Sequence, residues 1–91
     1  MNKATELKLI EGDFTAVEAQ EILTNVFSSK IQFHEMRNYS SMERFGTEDH
    51  MSKKRIDELK KYVEEFKKVI IEALASDKTV QINSVIKISI K

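Results

Sequence analysis

The sequence predicts an α+β fold of predominantly helical character, ordered β-α-α-β, in which a long helical hairpin carries N- and C-terminal strands paired antiparallel. Three observations lead there. An apolar seam recurs in sevens between Ser52 and Ala75, apolar and polar residues alternate near both ends of the chain, and a helical pattern opens behind a capping signal at Thr15. At 91 residues the chain is expected to form one small domain spanning 1–91, without a linker or a second domain, and to bury a modest core.

Glu6 to Glu11 alternates, with Leu7 and Leu9 on one side and Lys8 and Ile10 on the other, and Gly12-Asp13 follows. That pattern predicts a short strand closed by a turn. Thr15 then stands at an N-cap position with Glu18 three residues on, the spacing at which side chain and backbone satisfy each other reciprocally, so a helix is predicted from Ala16. Ala19, Ile22, Leu23 and Val26 form its apolar arc and are expected to meet the central helix.

Continued in phase, the same arc carries Lys30, Arg37 and Arg44, while Ile31, Tyr39, Met42 and Phe45 fall on the other side. The pattern slips at Ser28-Ser29, and Ser29 with Gln32 has the spacing of a fresh cap, so a break or kink is expected there. The chain contains no proline, which leaves a continuous helix from Ala16 to Phe45 sterically allowed. Gly46 marks the stop, and Thr47 to His50 reads as the connecting loop.

In the central helix Ile56, Val63 and Ile70 share one heptad position, and Leu59, Phe66 and Ala73 share the other. Tyr62 and Val69 flank this seam, and Ile71 and Leu74 widen the apolar surface near the helix end, where the strands are expected to pack. After Ser76-Asp77-Lys78, residues Val80, Ile82, Ile86, Ile88 and Ile90 alternate with polar neighbours, which predicts a long half-buried strand with an irregularity at Ser84-Val85. Two strands alone are marginal in water and leave an adhesive edge. Dimerisation that extends them into a larger sheet is therefore expected, with Ile56, Leu59, Val63, Phe66, Ile70, Ile82, Ile86 and Ile88 as its core or dimer seam.

Composition narrows the chemistry. Fifteen basic and fifteen acidic residues balance, so no global field draws the chain to nucleic acid or an anionic membrane. There is no cysteine, which removes disulfides and thiolate chemistry, and no signal-like or membrane-spanning run, so the expected address is cytoplasmic. Gly12 and Gly46 are the only glycines, so no phosphate-cradling loop exists, and no cofactor is expected. His34-Glu35 opens like a zinc-protease helix motif, but position 38 is asparagine where the second histidine is needed. The remaining metal candidates are His34, His50, Glu48 and Asp49, if folding brings them together.

Lys53, Lys54, Lys60, Lys61, Lys67 and Lys68 form two rows on the central helix that could track phosphates, interleaved with acids that favour a plain solvated face. Met36, Tyr39, Met42 and Phe45 near the hairpin tip read either as core or as a surface for another protein. The primary functional reading is a non-catalytic interaction or assembly module that forms a homodimer. Nucleic-acid association through the lysine rows is the alternative, and metal-dependent activity stands third.

Overall fold

The computed structural model describes residues 4–91. The chain runs β1 (Ala4–Phe14), α1 (Ala16–Phe45), α2 (His50–Ser76) and β2 (Val80–Ser89), and the two strands form one antiparallel ribbon. The β-α-α-β order, the helical hairpin and the antiparallel pairing of the terminal strands agree with the sequence reading.

The N-terminal strand does not turn at Gly12-Asp13 but continues to Phe14. Gly12 sits at φ 151°, a region other residues rarely adopt, so the chain changes direction locally while staying paired with Ile82. The irregularity expected at Ser84-Val85 lies across from them instead. Lys8 pairs with Val85 and Ile10 with Ser84, which leaves Leu9 as the extra residue of a β-bulge in β1.

The capping box forms as predicted: the Glu18 amide donates to Thr15 Oγ1 at 3.1 Å, and the Thr15 amide donates to Glu18 Oε1 at 3.0 Å. From there α1 is one continuous helix through Ser28-Ser29, and the expected break is absent. The reason lies in the stripe that faces α2. Its members Ala19, Leu23, Phe27 and Ile31 take three successive four-residue steps, after which His34, Asn38 and Ser41 resume the alternation of three and four. Such an insertion unwinds the packing seam locally without breaking backbone hydrogen bonds. The stripe therefore never slips to the far side; it turns polar.

This continuity carries a prediction. If Ser29 capped a new helix, proline at the next position would be tolerated. In an uninterrupted helix K30P removes a backbone bond and clashes with the preceding turn, and thermal unfolding should show a loss of about 3 kcal/mol.

Gly46 ends α1 in the left-handed conformation (φ 68°), donating its amide to the Met42 carbonyl at 2.9 Å. The central helix starts at His50, two residues before the sequence pattern suggested, because Asp49 serves as its N-cap. Asp77 closes it at φ 54°.

Two regions of packing hold the domain. At the base, Ala16, Ala19 and Ala73 keep the helices slim, which lets Val80 and Ile82 of the ribbon approach Ile70, with Ile10, Phe14, Leu23 and Phe66 around them. Farther along the hairpin Ile56 and Leu59 are buried. The ribbon thus packs on the Ile70 and Ala73 side of α2. Tyr62, Val69, Ile71 and Leu74, expected to be covered, remain exposed, because the strands meet only the narrow face built from small residues.

The result is an extended molecule, 50 × 35 × 15 Å, with a radius of gyration of 16.5 Å. A compact chain of this length would have about 12 Å. No helix among the described residues is long and apolar enough to cross a membrane.

Candidate functional site

Two surfaces stand out, and the first is the outer half of the ribbon. Opposed residues of an antiparallel pair share a face, so Leu7 with Ile86 and Thr5 with Ile88 continue the face that buries Val80 and Ile82 at the base. Beyond the base that face lies outside the core of the described residues: Leu7, Ile86 and Ile88 are 50%, 39% and 50% exposed. The two edges of the ribbon differ. The bulge at Leu9 interrupts β1, whereas β2 pairs without a register break. Bulges blunt an edge against further pairing, which leaves β2 as the edge suited to accept another strand.

The second surface is the hairpin tip. There the two helices are joined by polar contacts where the sequence suggested apolar ones. Ser52, 3% exposed, occupies the seam position four residues before Ile56. Its hydroxyl donates to Asp49 Oδ2 at 3.1 Å, and its amide donates to Asp49 Oδ1 at 3.1 Å. Having given its proton to the carboxylate, the hydroxyl accepts from His34 Nδ1 at 3.4 Å, an assignment that places the imidazole proton on Nδ1. The Asp49 amide donates to Asn38 Oδ1 at 2.7 Å, and Ser41 Oγ donates to the Thr47 carbonyl at 2.8 Å. Because this network occupies the seam, Phe33, Met36, Tyr39, Met42 and Phe45 stay outside it and exposed.

Serine, histidine and aspartate together suggest a nucleophile, but the polarity is wrong. An activated serine gives its proton to histidine and is oriented toward open space. Here the serine donates to the aspartate, receives from the histidine and is buried, so the trio fastens the hairpin tip.

The same network sets the acid response. The Ser52 amide holds the Asp49 carboxyl below its ordinary 3.8 against the opposing effect of burial, assisted by the Ser52 hydroxyl and the Arg37 guanidinium. Glu18 is likewise lowered from 4.5 by the backbone and side chain of Thr15. A depressed folded pKa stabilises above the unfolded value and is lost as pH falls through the folded one. Thermal stability should therefore fall as pH drops below about 4.5, and D49N, which keeps a cap but cannot titrate, should flatten that acid limb.

The metal candidates are only partly gathered. His34 and Asp49 meet at Ser52, while Glu48 pairs with Lys53 at 3.0 Å and His50 is the exposed first residue of α2. No three metal-ligating side chains converge among the described residues. The lysine rows lie on the solvent side of α2, all six exposed. At 100° per residue Asp57 and Glu64 run between the row of Lys53, Lys60 and Lys67 and the row of Lys54, Lys61 and Lys68, and Lys67 lies 3.8 Å from Glu64. The rows are thus divided by negative charge.

No family model, curated protein or solved structure matches this chain.

Of the seam residues, Ile56, Leu59, Ile70 and Ile82 are buried, Val63 and Phe66 are half-buried, and Ile86 and Ile88 are outside the core. Ser52 and Asn38 were absent from the sequence candidates. The signal for Ser52 was present in its spacing, since continuing the seam one step upstream of Ile56 lands on it.

Proposed function

We propose that the chain is a non-catalytic assembly module that forms a homodimer by pairing β2 with β2 of a second copy, giving a four-stranded sheet. One observation carries this reading: the folded chain exposes 7539 Å², where a compact monomer of its mass exposes about 5,500 Å². The excess, about 2,000 Å² per copy, exceeds what each partner contributes to a standard interface, about 800 Å².

Antiparallel pairing about a two-fold axis perpendicular to the sheet sets the outer half of each ribbon beside the base of the other. Leu7, Ile86 and Ile88 then lie beneath the helical hairpin of the second copy, and the unpaired edge of β2 is satisfied in the same step. The chain has no cysteine, so single cysteines report cleanly. Cysteines placed one at a time at Ser84, Lys87 and Ser89 on β2 should yield a disulfide-linked dimer for at least one position under mild oxidation. The same scan at Glu6, Lys8 and Glu11 on β1 should yield none. Cross-links confined to β1, or none in either strand, would overturn this assembly.

Nucleic-acid association through the lysine rows is the weaker reading, since Asp57 and Glu64 divide the rows and the net charge is zero. Metal-dependent activity has less support still, with His50 and Glu48 turned to other surroundings.

A further inference from the structure

We infer that the hairpin tip is a docking groove for an acidic amphipathic helix of another protein. Two shallow grooves adjoin at the tip, one between α1 and α2 and the other along α1, and they share Arg37 and Asp49. Phe33, Met36 and Phe45 line one and Met51 the other, all of them exposed. Apolar groups of this kind, on two adjacent helices with an adaptable methionine on each, are what an apolar helix stripe packs against in helix-in-groove recognition.

Charge selects the occupant. Arg37, Arg44, Lys54 and Arg55 line the grooves, and Lys30 stands beside them with its Nζ 5.3 Å from the centroid of the Phe33 ring. The two acids on the lining are already engaged: Asp49 accepts from Ser52 and faces Arg37, and Glu58 accepts from Arg55 at 2.9 Å. Among the described residues no carboxylate lies within salt-bridge distance of Lys30, Arg44 or Lys54. Exposed apolar side chains beside an unbalanced set of cations favour a helix whose apolar stripe is flanked by aspartate or glutamate, and they repel a basic one.

The inference deepens the reading as an assembly module, and its test leaves the ribbon untouched, so the two can fail separately. A display library of 18-residue helical peptides with randomised surface positions is selected against the purified full chain. The recovered binders should carry apolar residues at i, i+3 or i+4, and i+7, flanked by an excess of acids. They should lose at least tenfold in affinity to R44E/K54E and also to M36Q, with helical content of both variants unchanged by circular dichroism. Raising the salt should weaken them. Four results would overturn the inference: no binders, binders without an acidic bias, affinities unchanged by both variants, or a change in particle mass on R44E/K54E, which would make the groove a contact between copies. Equal affinity of the tip for a single-stranded RNA probe, lost in R44E/K54E, would also overturn it in favour of a phosphate ligand.

Discussion

Replacing Ile86 and Ile88 together by lysine is expected to convert the proposed dimer to monomer while leaving the helical signal intact. Both side chains lie on the sheet face continuous with Val80 and Ile82, yet they are 39% and 50% exposed, so the fold of a single copy depends little on them. In the proposed assembly each loses its remaining contact with water, worth about 1 kcal/mol per half-buried isoleucine. Four such residues per dimer give about 4 kcal/mol, or roughly a thousandfold in Kd. Sedimentation equilibrium of the I86K/I88K variant against the parent chain measures this shift. An unchanged Kd would mean that copies associate elsewhere or not at all.

The second large effect is in the core and is best read from neighbours. Ile70 is 3% exposed between α1 and the ribbon, whereas Ile71, the next residue, is 66% exposed. I70A leaves a cavity among Ala16, Ala19, Ala73, Val80 and Ile82, where the backbones of two helices and a sheet cannot all close in. The expected cost is about 3 kcal/mol, which in a domain of this size lowers Tm by about 15 °C. I71A should change stability by less than about 0.5 kcal/mol. Comparable losses at both positions would show that the widened apolar end of α2 is covered in solution by something other than the ribbon.

Much of the fold was legible because local signals agreed with the global arrangement. The Thr15 and Glu18 spacing, the stop at Gly46, the heptad seam of α2 and the alternation of β2 each point to one structure. The misreadings have a common physical source. That apolar residues mark the buried side holds for Ile56 and Leu59 but fails at the tip, where His34, Asn38, Ser41 and Ser52 occupy the seam and hold it by hydrogen bonds. The apolar residues of α1 by themselves slip at Ser28-Ser29; counted by position, its stripe runs on through polar residues. Likewise Gly12-Asp13 resembles a turn in sequence, but pairing with the opposite strand outweighs the local preference.

The candidate surfaces were less legible than the fold. Met36, Tyr39, Met42 and Phe45 were recognisable as a group without a matching face, yet only three-dimensional placement shows that the groove lined by Met36 and Phe45 adjoins, through Arg37 and Asp49, the one lined by Met51, Lys54 and Arg55. Which edge of the ribbon is blunted depended on the bulge at Leu9, a property of the register between paired positions more than seventy residues apart, which neither strand displays by itself.

The central claim is that one copy of this chain is half of its working unit. Light scattering coupled to size-exclusion chromatography, run across a dilution series at micromolar concentrations, tests it most directly. A particle of twice the chain mass of 10.6 kDa is the predicted result. A mass of 10.6 kDa throughout the series would contradict it.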